Sequence, residues 1–150
     1  MRPPPSLLLE VLSGFTKLKV VHAHRGERLH PGTVYIASPE LHLVVRANHT
    51  LDYTDGRKIR HSRSSANPLF TSASEVFRPR VIAVVLTGGD ADATDGVQSV
   101  KQGGGVIAQE RSTCVEPSMP RSAIETGSVD FIVPLDKIAD TLIEMTQKNP

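Results

Sequence analysis

The chain has 150 residues, 39% hydrophobic and 22% charged, with a formal net charge of +1. That length and composition admit one globular domain and exclude a chain disordered throughout. The charge supplies no electrostatic footprint for nucleic acid, and no run approaches the ~20 apolar residues of a membrane span.

Aromatic residues are scarce, at 4% with no Trp, so the core rests on Val, Ile, Leu and Ala. The lone cysteine, Cys114, cannot form an internal disulfide, which fits a reducing compartment. The Pro3–Pro5 cluster and Glu10 argue against a signal peptide, so a cytoplasmic location is expected. The basic-rich stretch Arg57–Arg63 also holds His and Ser and reads as a solvated loop.

In chain order, Ser6–Phe15 predicts a short helix with Leu8, Val11 and Leu12 on one face. Lys17–Ala23 reads as a strand. After the Pro31-Gly32 turn come strands at Thr33–Ser38 and Leu41–Arg46. Asn48–Ser65 is polar and reads as loop with room for a short edge strand. Asn67-Pro68 is a helix start, with Asn as cap and Pro in the first turn. Leu69, Phe70, Ala73, Val76 and Phe77 then recur at helical spacing, and Pro79 closes the helix.

Val81–Leu86 is continuous and β-branched, which predicts a strand buried on both faces at the centre of a parallel sheet. A turn to Gly96 leads into a helix with Val97 and Val100 inward and Gly103 at its end. Gly104–Gln109 is a second buried strand, Pro117–Thr126 a helix, and Asp130–Val133 a short strand. Leu135, Ile138, Ala139, Leu142 and Ile143 form the apolar face of a last helix. Alternation of strand and helix from Val81 onward predicts parallel α/β architecture.

Sites in open α/β sheets form at the carboxyl ends of strands. The turn after Val81–Leu86, LTGGDADATDG, carries Asp90, Asp92 and Asp95. A calcium loop fits poorly, because the glycine falls one place late and the twelfth position is Lys101 instead of Glu. Asp95 suits a cap of the following helix. For Asp90 and Asp92, capping and orienting a catalytic His both stay open. Among the six histidines, His22, His24, His30, His42, His49 and His61, the first two alternate along one predicted strand. Two ligands without a third do not make a metal site. His61 reads as a polar loop residue. Cys114 precedes a helix, but a lone buried thiol is a packing residue before it is a nucleophile.

Several separated motifs carry a family resemblance. They are Leu86-Thr87-Gly88, the glycine-rich entry Gly103–Ala108, and Cys114-Val115 with Met119-Pro120-Arg121 and Ala123-Ile124. Upstream are Gly26-Glu27-Arg28, Pro31–Ala37 and Ser62–Asn67. Together they resemble the catalytic domain of the chemotaxis receptor methylesterases (CheB-type), over nearly the whole chain.

The resemblance implies a three-layer parallel α/β fold. It also implies a Ser-His-Asp hydrolase that acts on glutamate methyl esters of chemoreceptor cytoplasmic domains, with no cofactor and no metal. Asp92 takes the place of the triad acid, and Gly89 stands where the family has a Met whose backbone amide serves the oxyanion. Met119 reads as core or pocket wall on the substrate side. Ser64 and Asn67 stand where Pro and Asp are common, and Ala93 replaces a glycine, which strains the turn if a positive φ is required.

No G-x-S motif occurs in the sequence, and none of the six histidines lies where the triad His belongs. The family's receiver domain is not among these residues. The chain is therefore expected to be an amino-terminally truncated methylesterase domain that is inactive by itself, with open sheet edges where the family has further strands. The competing expectations are a non-catalytic receptor-binding module and a degenerate remnant.

Overall fold

The computed structural model describes residues 7–54, 66–89 and 93–148. The chain divides into two compact units, residues 1–64 and 65–150.

In the first unit, α1 (Leu7–Phe15) precedes β1 (Lys19–His22), which pairs in parallel with β2 (Thr33–Ile36). β3 (His42–Val45) and β4 (Leu51–Thr54) form an antiparallel hairpin. β4 is the edge strand for which the polar 48–65 stretch had room. The β1–β2 connection contains no helix; Arg28 bridges to Thr50, so the crossover rides on the hairpin. Leu43, Val44, Val45, Leu51 and Tyr53 form the buried interior with Ala23. The Tyr53 hydroxyl donates to the Ala23 carbonyl at 2.7 Å and accepts from the Ser38 amide at 3.0 Å, which satisfies both roles of a buried phenol. Arg25 donates to the Tyr53 carbonyl at 2.7 Å and to Asp52 at 3.1 Å.

The apolar face expected for α1 exists, but the helix buries none of its residues: Leu7, Leu8 and Val11 are exposed. The predicted His22/His24 pair does not share a strand, because β1 ends at His22; His24 instead opens a turn, its amide donating to the Glu27 carboxylate.

The second unit opens with α2 (Asn67–Phe77) and runs β5 (Ile82–Val85), α3 (Thr94–Lys101), β6 (Gly105–Gln109), α4 (Ser118–Glu125), β7 (Phe131–Val133) and α5 (Ile138–Lys148). The three strands form one parallel sheet in the order β5-β6-β7. Ala83 and Val106 are register partners on one face; with Val85, Val97 and Val100 of α3 and Ala123 of α4 they make the core. The opposite face carries Ile107, and Met145 of α5 reaches Gly105 there. Helices on both faces of a parallel sheet make the expected three-layer α/β arrangement.

Among the described residues the middle strand of this sheet is β6. β5 alternates between buried Ala83 and Val85 and half-exposed Ile82 and Val84, and Leu86 is exposed. Among the described residues β5 pairs only with β6, whereas β6 has a strand on each side and is buried from Val106 to Gln109. An unbroken apolar run reports hydrophobicity, not the number of neighbouring strands. The last helix differs as well. Leu135 belongs to a separate 3-10 turn, Ala139 and Ile143 face solvent, and the inward positions are Ile138, Leu142 and Met145, which fit the i, i+4, i+7 spacing.

Candidate functional site

The segment Leu86–Gly89 leaves the carboxyl end of β5 beside the segment that leaves β6, and a set of hydrogen bonds stitches the two together. The Thr87 hydroxyl donates to the Glu116 carbonyl at 3.1 Å and accepts from the Glu116 amide at 2.8 Å. The Gly88 amide donates to the Glu116 carbonyl at 2.9 Å, and the Met119 amide donates to the Gly88 carbonyl at 3.1 Å. The Thr87 amide donates to Oε1 of Gln109 at 2.9 Å. Both partners of this seam sit at the strand ends where open α/β sheets place their ligands.

Gly89 is exposed at the tip of the described part of the turn, and its amide has no acceptor among the described residues. Its φ is not positive, and a Cβ there would meet only the Glu116 Cγ at 3.5 Å, an ordinary contact. The backbone thus does not demand glycine at this position. Met119 is half-buried against the core, and a Cβ on Gly88 would lie 3.6 Å from its Cε, so Met119 is a wall of the turn.

Asp90 and Asp92 lie outside the described residues, as do His61, Ser64 and the amino-terminal prolines. Their neighbour Ala93 is buried at 1% exposure with φ −117°, so the residue replacing glycine carries no left-handed strain. Asp95 does not cap α3, whose cap residue is Ala93 with no side-chain bond to offer, but it lies in the first turn, where its charge suits the helix dipole as expected. Asn67 takes over: it does not cap its own helix α2, whose cap residue is Ala66, but its Oδ1 accepts from the Gly96 amide of α3 at 2.7 Å. One free amide of the α3 amino terminus is thereby satisfied from another helix. Gly96 permits this approach, since a Cβ there would lie 2.7 Å from the Phe70 Cβ.

Two side chains near the seam are electrostatically tuned. Hydrogen bonds from the Ser118 hydroxyl and amide, with help from the Arg121 charge, hold the Glu116 carboxyl below its usual range. Partial burial pushes the Cys114 thiol up, so it is less of a thiolate than a free cysteine; it follows a 3-10 turn and lies 3.4 Å from the Glu110 carbonyl. Among the described residues no group of three or more His, Cys, Asp or Glu could hold a metal, and no helix is long and apolar enough to cross a membrane.

The sequence singled out Thr87 only within the Leu86-Thr87-Gly88 motif, and Gln109 and Glu116 not at all as site residues. The one available signal was a polar residue closing an otherwise apolar buried strand, GVIAQ.

Comparisons with known proteins extend this geometry. A family model described as CheB methylesterase matches residues 2–142. A putative protein-glutamate methylesterase/protein-glutamine glutaminase of Leptospira interrogans is 36% identical over 140 residues, covering 93% of this chain and 72% of that protein. A protein-glutamate methylesterase/protein-glutamine glutaminase of Thermotoga maritima is 39% identical over 140 residues, covering 89% of this chain; this chain spans 40% of that protein's length. The crystal structure of the Thermotoga maritima CheB methylesterase catalytic domain matches with a TM-score of 0.88 and 37% identity, over 96% of this chain and 79% of that one.

Proposed function

The chain belongs to the CheB methylesterase family, and from that premise we propose that it carries the acid and oxyanion side of a protein-glutamate methylesterase site. The observation that carries this reading is the turn at the carboxyl end of β5, held against the segment 113–119 with the Gly89 amide meeting no acceptor among the described residues. Hydrolysis of a glutamate methyl ester passes through a tetrahedral oxyanion. A backbone amide aimed at that oxygen stabilises the charge where it develops, and needs no particular side chain. Gly89 serves there. Asp92, three residues on, is the triad acid: it holds the catalytic His in the useful tautomer and stabilises its cation. Met119 walls the substrate side. The substrates are methyl esters on chemoreceptor cytoplasmic domains, which places the reaction in the cytoplasm.

The residues 1–150 contain neither a G-x-S turn nor a His at the triad position. Loss of either the nucleophile or the His of a comparable triad costs about a millionfold in turnover, so these residues alone hydrolyse no ester. Methanol release from a methylated receptor cytoplasmic fragment is the test. The expected result is no release above background by purified residues 1–150. A measurable rate that is lost on Asp92→Ala would show that these residues hold a working site and overturn the inactive reading.

A second reading, a non-catalytic receptor-binding module, draws on exposed apolar side chains beside the seam. Val115 is 95% exposed and Leu86 42% exposed. Binding of the receptor fragment without methanol release, weakened by Val115→Asp, supports it; no binding leaves an inert remnant.

A further inference from the structure

We propose that Gln109 is a positioning residue that sets the direction of the Gly89 amide, an assignment that rests on the oxyanion reading of this turn. Gln109 closes β6 at 1% exposure, burying a whole primary amide. Burying a primary amide is costly unless its donors and acceptor are matched. Here they are. Oε1 accepts from the Thr87 amide at 2.9 Å, while Nε2 donates to the Thr113 carbonyl at 2.9 Å and to the Thr113 hydroxyl at 3.2 Å. The orientation of the amide is dictated by chemistry, because Thr87 offers only N–H and the Thr113 carbonyl only accepts.

A Leu or Met would fill the same place with no polar atoms to satisfy. The side chain that is present instead ties together both segments that build the turn. On one side it holds Thr87, the residue after Leu86. On the other it holds Thr113, whose hydroxyl also accepts from the Leu135 amide at 3.2 Å and donates to the Glu110 carbonyl at 3.0 Å. Thr113 leads to Glu116, and Glu116 carries the bonds to Thr87 and Gly88. The result is a closed circuit: Gln109 to Thr87, Thr87 and Gly88 to Glu116, and back along the chain to Thr113 and Gln109. Gly89 is the first residue beyond that circuit, and its N–H shares a peptide plane with the Gly88 carbonyl, which accepts from the Met119 amide at 3.1 Å; the circuit aims the Gly89 amide by fixing where Gly88 sits against that partner. A merely apolar contact at Gln109 would keep β6 packed but leave the turn held only by its bonds to Glu116 and Met119, without the tie to the end of β6.

The test compares ¹⁵N-labelled residues 1–150 with the variants Gln109→Met and Thr113→Val by amide resonance positions and hydrogen exchange. Gln109→Met keeps the shape and removes both ends of the clamp. Thr87 should then exchange about tenfold faster, as loss of one hydrogen bond implies. The Gly88 and Gly89 resonances should move, while the amides of the β5–β6 ladder keep their protection. Thr113→Val removes one of the two acceptors and should displace Gly89 in the same direction by less. If Gln109→Met does not fold, Thr113→Val carries the test alone. Gly89 at its unaltered position in either folded variant overturns the proposal, and so does loss of protection spread evenly over the sheet, which marks a packing role only. No substrate enters this measurement, so its outcome is independent of whether the methylesterase reading stands.

Discussion

Replacing Gly96 by alanine sets two opposed effects against each other. In a helix interior the exchange gains about 1 kcal/mol from backbone entropy. Against this, the new methyl would lie 2.7 Å from the Phe70 Cβ, 3.0 Å from the Phe70 Cδ2 and 3.2 Å from the Asn67 Cα. Apolar carbons rest about 3.5–4.0 Å apart, so α2 must withdraw from α3 by roughly 1 Å. Such overpacking costs about 1–3 kcal/mol. The same withdrawal stretches the 2.7 Å bond from the Gly96 amide to Asn67 past its useful range, and loss of a cap costs about 1 kcal/mol more. The net expectation is destabilisation of about 1–3 kcal/mol. Urea denaturation followed by circular dichroism reads this directly. Gly14→Ala in α1 is the control: no described residue lies within 4 Å of a Cβ there, so propensity acts alone and the change is stabilising or neutral. If Gly96→Ala proves as stable as the unaltered chain, the α2–α3 contact yields without cost and the packing argument is wrong.

Asn67→Ala should cost about 1 kcal/mol, and Asn67→Asp much less, since the carboxylate keeps the acceptor and adds a favourable charge at a helix amino terminus; equal losses in both, measured in the same urea assay, would refute the capping role. Asp52 is held below the usual carboxylate range by the Tyr53 amide and by Arg46 and Arg25. Its contribution to stability is therefore present above the unfolded pKa and lost as pH falls through the lower folded value. Asp52→Asn should flatten that acid-side slope in thermal melts between pH 5 and about pH 2, and an unchanged slope would rule the contribution out. Cys114, its thiol pushed up by burial, should alkylate with iodoacetamide at pH 7 more slowly than a free cysteine; a rate matching or exceeding that of glutathione contradicts the assignment.

What could be read from residues alone was whatever depends on neighbours along the chain. The alternation after Val81 announced a parallel α/β sheet, because period and length are local properties. The helix beginning at Asn67, the strand Gly105–Gln109 and the helix Ser118–Glu125 fall within a residue or two of their expected bounds. The turn after β5 was marked as the site by its glycines and carboxylates, and separated motifs carried the family.

Tertiary structure decided which side chains meet. Val81–Leu86 has the composition of a central strand, and among the described residues it pairs on one side only while β6 pairs on both, since pairing depends on the partners that the fold supplies and not on the strand's own residues. Asn67 reads as a cap for its own helix and caps α3 instead, because α2 and α3 pack closely at Gly96. Ala93 has a negative φ, so the condition under which an alanine there would strain the turn is not met. Gln109 is the clearest case. In the sequence it is one polar residue after an apolar run; only the register of β5 on β6 brings its amide to Thr87, 22 residues earlier. Local propensity acts over a turn or two of chain, whereas a buried amide is satisfied by whatever the packed fold places within 3 Å of it.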